Sequence, residues 1–113
     1  MLFITRDGTG QIVWLETGSQ TAGMQHIISR HAVDFQSKHG VSETDIANHL
    51  KDVVQQGIVK YSRVTKYSGG YERLYSYNGN YYLVSGIGKN GFIVSAYPIG
   101  ENEAKKLVER YGK

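Results

Sequence analysis

A change in the spacing of apolar residues at Gly57 is the feature that most constrains the fold of this 113-residue chain. Before Gly57, apolar side chains recur every three or four residues, which is typical of helices that bury one face. After Gly57, apolar and polar residues alternate, which is typical of strands in a half-buried sheet. Helices gathered early and strands gathered late indicate an α+β fold.

Two helices are predicted in the part of the chain before Gly57. The first spans about Met24 to Lys38 and ends at Gly40, because glycine readily adopts the left-handed cap conformation. Its inward face comprises Met24, Ile27, Ile28, His31 and Phe35. The second spans about Glu43 to Gln56, and Ser42 with Asp45 three residues later predicts a variant of the capping box. Its buried face comprises Ile46, Leu50, Val53 and Val54.

The alternating part predicts a four-stranded antiparallel meander. Asn78-Gly79 between two alternating runs is a strong signal for a hairpin turn. The predicted strands are Ile58–Val64, Tyr71–Tyr77, Tyr81–Ser85 and Phe92–Tyr97, with Pro98 closing the last.

A further element is predicted at each end of the chain. Two apolar runs around Asp7-Gly8 predict an N-terminal hairpin, and Glu101 to Tyr111 has the spacing of a short helix. The sequence therefore predicts an N-terminal hairpin and two helices packed on one face of the meander, followed by a C-terminal helix. Residues 1–113 form a single domain in this interpretation.

Composition restricts the classes of site and partner. Cysteine is absent, which excludes disulfides and thiolate metal sites. No apolar run approaches the ~20 residues of a membrane-spanning helix, and no signal peptide pattern is visible, so no membrane anchor is expected. A net charge of +3 is compatible with a polyanionic partner such as RNA but does not require one.

The four histidines are the first candidates for chemistry. His26 and His31 are five residues apart, about 140° around a helix at 100° per residue, so they are not expected to share a metal ion. Neutral imidazole transfers protons well near pH 7, which suits an acid–base role without cofactor. His31 equally fits a hydrogen-bonded core histidine. His39 is expected to act as a cation at a helix C-terminus, and His49 to face solvent.

Nine tyrosines, most of them in the alternating part, allow two interpretations. Tyr71, Tyr75 and Tyr77 share one strand face with Arg73, which fits a platform for stacking bases. The interpretation we favour is that most of them are scaffold residues, because tyrosine is a good strand residue. Ser95 and Tyr97 also share a face, and both hydroxyls could reach a phosphate.

Several short motifs together resemble a known family. These are His26-Ile27-x-x-Arg30-His31, Gly40-Val41-Ser42-Glu43-Thr44-Asp45-Ile46, Arg73-Leu74-Tyr75 and Asn90 to Pro98. They are similar to the compact nuclease domains of the barnase/EndoU/colicin-D/RelE-like group, over about residues 23–98. Such domains end contact-dependent growth inhibition toxins and other polymorphic toxins.

The resemblance implies metal-independent endoribonuclease activity, often on tRNA, that leaves a 2′,3′-cyclic phosphate. It also implies secretion or cell-surface delivery within a larger protein, action in the target-cell cytoplasm, and a cognate immunity protein. The implied catalytic residues are His26 and His31 as the acid–base pair, with Ser95 and Tyr97 at the phosphate. The implied substrate-binding residues are Arg30, Lys60, Arg73, Tyr75 and Lys89.

Two alternatives remain open at the level of sequence. One is a non-catalytic RNA- or protein-binding module that uses the tyrosine-rich sheet. The other is a different toxin enzyme such as an ADP-ribosyltransferase, against which the lack of an evident catalytic glutamate near the last strand counts.

Overall fold

The order of helices and strands follows the change of apolar spacing at Gly57. The computed structural model describes residues 2–18, 23–64, 70–87, 91–93 and 95–112. Within these ranges no helix is long and apolar enough to cross a bilayer. The elements are β1 (Phe3–Arg6), β2 (Ile12–Leu15), α1 (Met24–His39), a 3-10 turn (Glu43–Asp45), α2 (Ile46–Gln56), β3 (Ile58–Val64), β4 (Tyr71–Tyr77), β5 (Asn80–Ile87), β6 (Ser95–Ile99) and α3 (Glu101–Tyr111).

The four strands β3 to β6 form an antiparallel sheet in the order β3-β4-β5-β6, which confirms the predicted meander and the α+β fold. Two predicted turns are confirmed by their backbone angles. Gly40 ends α1 with a φ of 67°, and its N–H donates to the Gln36 carbonyl. Asn78 and Gly79 have φ values of 52° and 80°, and a hairpin turn of type I′ requires positive φ at both central residues.

The last strand differs from its prediction. It begins at Ser95, and Pro98 lies inside it, opposite Tyr82 of β5. Proline is tolerated there because β6 is at the edge of the described sheet, where its missing N–H removes no ladder bond. Phe92 instead pairs in parallel with Trp14 of β2, joined by hydrogen bonds from Trp14 N to Gly91 O and from Ile93 N to Trp14 O.

The start of α2 also differs from its prediction. Glu43–Asp45 form a 3-10 turn, and the α-helix begins at Ile46. The Ser42 hydroxyl donates to the Asp45 carboxylate at 2.9 Å instead of accepting from a backbone N–H. The predicted capping box is therefore wrong, because the two polar side chains bind each other.

The helices lie on both faces of the sheet, so the prediction of a single helical face is wrong for α3. One face packs with α1, α2 and the N-terminal hairpin around a core that includes Tyr75, Tyr82, Val84 and Ala96. The other face packs with α3 through Leu74, Leu83, Ile99 and Ala104. We call this second side the α3 face. Helix α1 runs against the edge strand β6, which brings its side chains to the margin of the α3 face.

A buried ion pair ties the N-terminal hairpin to the sheet. Oδ2 of Asp7 accepts hydrogen bonds from Arg73 Nη1 at 2.8 Å and from the Tyr75 hydroxyl at 2.6 Å. Oδ1 accepts from the backbone N–H and the hydroxyl of Thr9. Burial alone would raise the pKa of Asp7, but the bonds from Thr9 and Tyr75 and the charge of Arg73 lower it below its usual value.

Candidate active site

His31 and Tyr97 form the centre of the candidate site. The His31 ring stacks on the Tyr97 ring with centroids 4.6 Å apart and an interplanar angle of 24°. His31 Nδ1 lies 3.2 Å from Asp34 Oδ2, a contact that orients the imidazole. The His31 side chain is 22% exposed, so it stands at the margin of the core and remains open to solvent.

His26 also contacts His31. The two imidazole rings meet edge to face, with centroids 6.5 Å apart. The five-residue spacing predicted that these side chains would be far apart around α1. This is wrong, because the two rings contact each other. Three of the four predicted catalytic residues, His26, His31 and Tyr97, therefore lie in a continuous row.

A charged cluster that sequence reasoning missed lies on the α3 face. Glu72 of β4 accepts hydrogen bonds on Oε2 from Arg63 Nε at 2.6 Å and from the Tyr61 hydroxyl at 3.2 Å. The Arg63 guanidinium lies 4.2 Å from the centre of the Tyr111 ring of α3. Glu72 shares a strand face with Leu74, and a carboxylate at an inward position of a central strand was the available signal.

Tyr97 lies on the same face of the sheet as this cluster. Burial, together with the negative charges of Glu72 and Glu103, raises the pKa of Tyr97 above its usual value. Tyr97 is therefore protonated at neutral pH and can donate a hydrogen bond. The α3 face thus carries a phenol, with an imidazole stacked on it, at the β6 edge, and a carboxylate and a guanidinium on β4 and β3. These are groups that transfer protons and stabilise anions.

The remaining predicted residues are distributed around this centre. Ser95 is 7% exposed and precedes Tyr97 by two residues, so it shares the strand face of Tyr97. Arg30 is exposed on α1, next to His31 in sequence. Lys60 is exposed on β3 and lines a separate cleft beside α3. Lys89 lies outside the described residues.

Arg73 and Tyr75, predicted to bind substrate, are internal structural residues. Arg73 is 4% exposed, and its guanidinium donates hydrogen bonds to the Asp7 carboxylate and to the Ser62 hydroxyl. Tyr75 is fully buried, as is Tyr82. A base cannot stack on a ring without access to solvent, so the predicted platform of Tyr71, Tyr75 and Tyr77 loses its central member, Tyr75. The interpretation of these tyrosines as scaffold fits their burial.

His49 was predicted to face solvent, and this is wrong. It is half-buried, and its Nε2 lies 2.6 Å from the Tyr82 hydroxyl. Burial raises the pKa of Tyr82 to about 12, so the phenol stays protonated and its O–H can donate a hydrogen bond to the neutral imidazole. Burial also lowers the pKa of His49, against the opposing charge of Asp52. The pair therefore joins α2 to β5.

This burial predicts a loss of stability in mild acid. A histidine whose pKa is lower in the folded state stabilises the fold above its unfolded pKa of about 6.5, and this contribution is lost as pH falls through the folded value. We expect the melting temperature to fall between pH 7 and pH 5, and the fall to be smaller in His49→Gln. An equal fall in both proteins, measured by circular dichroism, contradicts this assignment.

Comparison with models of known protein families finds no match, and comparison with curated proteins finds none either. The case for function therefore rests on the geometry of the site and on the sequence resemblance described above.

Proposed function

We propose that this chain is a metal-independent endoribonuclease whose active site comprises His31, Tyr97, Glu72 and Arg63. The observation that carries the proposal is the stacking of His31 on Tyr97, on the face of the sheet that also carries the Arg63–Glu72 pair. RNA cleavage by the 2′-hydroxyl needs a base, an acid and groups that stabilise the charged phosphate. These four side chains supply that set from one side of the sheet.

The proposed reaction transfers two protons. A base removes the proton of the 2′-hydroxyl, and the 2′-oxygen attacks phosphorus. The bond from phosphorus to the 5′-oxygen breaks, and an acid protonates that oxygen, which leaves a 2′,3′-cyclic phosphate. His31 is one member of the acid–base pair, and Tyr97 donates to a phosphate oxygen, with the Ser95 hydroxyl two residues from Tyr97 on β6. Arg63 holds the Glu72 carboxylate in place.

The second member of the pair has two candidates. Glu72 is held through Oε2 alone by side chains in the described part of the protein, which leaves Oε1 for a proton. His26 is the partner implied by the resemblance, and its ring contacts His31. We favour Glu72, because a carboxylate accepts a proton readily and leaves the imidazole to act as the acid.

The biological setting proposed here rests on the resemblance. In that setting the domain is part of a larger polymorphic toxin that cleaves tRNA in the cytoplasm of a target cell. A cognate immunity protein then protects the producing cell by covering the site.

Incubation of the pure protein with total RNA and a chelator tests this proposal. We expect discrete fragments, with tRNA among the cleaved species, and growth arrest when the chain is expressed in bacteria. Expression of His31→Ala is expected to permit growth. Intact tRNA, rRNA and mRNA after prolonged incubation contradict the proposal, and salt-sensitive RNA binding without cleavage would indicate a binding module.

A further inference from the structure

A cleft on the α3 face has no part in the proposed chemistry. It has a volume of about 280 Å³ and lies between α3 and the strands β3 and β5. None of its residues belongs to the cluster around His31. The cleft is lined by Lys60, Tyr81, Ala104, Lys105, Val108 and Glu109.

The lining combines an apolar floor with two cations at the rim. Ala104 is fully buried, whereas Tyr81 and Val108 are half-buried and expose part of their surface to the cleft. Lys60 and Lys105 are exposed. Lys105 lies 3.4 Å from Glu101, but both side chains are more than two-thirds exposed, so this surface pair is weak and leaves the ammonium available.

This chemistry fits a flat aromatic group attached to a phosphate. Aromatic and apolar walls bind the faces of bases with little dependence on sequence, and ammonium groups bind phosphate. The volume is at the small end for ligand pockets, which favours one nucleotide over a larger ligand. Glu109 adds a negative charge to the rim and disfavours polyphosphates.

The register of β5 and β6 places the cleft next to the active site. Tyr81 pairs with Ile99, and Leu83 pairs with Tyr97. Tyr81 and Tyr97 are thus diagonal neighbours on one face. The Cα atoms of such neighbours lie about 7–8 Å apart. A single strand of RNA that has one phosphate at Tyr97 is therefore expected to reach the cleft with an adjacent nucleotide.

We propose that the cleft binds one nucleotide of single-stranded RNA, adjacent to the cleaved phosphate. The base stacks on Tyr81, and its phosphate contacts Lys60 and Lys105. The inference rests on the proposed ribonuclease function, but the cleft can be tested without turnover.

Titration with adenosine 3′-monophosphate, followed by amide NMR, tests the site directly. We expect shifts concentrated at residues 60, 81 and 104–109. Tyr81→Leu and Lys105→Gln are expected to raise the Kd about tenfold, which corresponds to the loss of one contact. Tyr81→Phe keeps the ring and is expected to bind as the wild type does. Lys106→Gln removes the same charge from the next position of α3, outside the cleft, and is expected to change the Kd less than twofold.

RNA cleavage by the same variants separates the two proposals. Lys105→Gln is expected to raise KM about tenfold with little change in kcat, because the contact is distant from the reacting phosphorus. Nucleotide binding at the cleft without any RNA cleavage supports the cleft and overturns the proposed function. Cleavage without shifts at the cleft, or equal weakening by Lys105→Gln and Lys106→Gln, overturns the cleft.

Discussion

Replacement of His31 by alanine is expected to reduce RNA cleavage by about 10²- to 10⁴-fold, the usual contribution of a positioned acid or base. The fold is expected to survive, because the side chain lies at the margin of the core and contacts Tyr97 and Asp34. The measurement is kcat/KM on a defined oligoribonucleotide, with the melting temperature recorded for each variant.

Val33→Ala is the matched control, because Val33 lies on the same helix and is 76% exposed. It is expected to retain full activity. A His31→Ala protein that melts normally and keeps more than about a tenth of wild-type activity contradicts the assignment of His31.

Glu72→Gln and His26→Gln then decide which residue is the partner of His31. We expect a loss in Glu72→Gln similar to that in His31→Ala, and a smaller loss in His26→Gln. The reverse order of losses assigns the pair to the two histidines.

Replacement of Arg73 by methionine is expected to lower the free energy of unfolding by about 3–5 kcal/mol, because it leaves the Asp7 carboxylate buried without its counter-ion. Asp7 is 6% exposed, and its bonds to Arg73 and Tyr75 hold the hairpin turn against β4. Urea unfolding at pH 7 measures the loss. Lys105→Gln, which removes an exposed ion pair, is expected to cost less than about 0.5 kcal/mol.

The loss of stability caused by Arg73→Met is expected to become smaller at low pH. Because the folded pKa of Asp7 is lowered, the ion pair stabilises the fold above the unfolded value of 3.8 and loses this contribution as pH falls through the folded value. The difference between wild type and variant is therefore expected to narrow below about pH 4. A loss at pH 7 no larger than that of Lys105→Gln contradicts a structural role for the pair.

Local patterns predicted most of the fold. The apolar spacing predicted α1, α3 and the strands β3 and β4, and the turn residues predicted both hairpins. The boundaries that failed depend on neighbours in space. Pro98 continues β6 because that strand is at the edge of the described sheet, and Phe92 leaves the sheet to pair with Trp14.

The candidate site was predicted in part, for a similar reason. Helical position alone placed His26 and His31 on α1, and strand alternation placed Ser95 and Tyr97 on one face. The Arg63–Glu72 pair depends on the register of β3 and β4, which puts these two residues directly opposite each other. The burial of Arg73 depends on Asp7, which is 66 residues away in the chain. The inward position of Glu72 in its strand is a local signal, but the partner in each of these two contacts cannot be predicted from local sequence.

The most direct test of the central proposal uses two versions of one oligoribonucleotide, in the presence of chelator. One version is unmodified, and the other carries a 2′-O-methyl group on the nucleotide that precedes the cleaved bond. Mass spectrometry of the products is expected to show a 2′,3′-cyclic phosphate from the unmodified strand and no cleavage of the methylated strand, because the attacking hydroxyl is blocked. Cleavage of the methylated strand at the same bond, or products ending in a 3′-hydroxyl, would contradict the proposal.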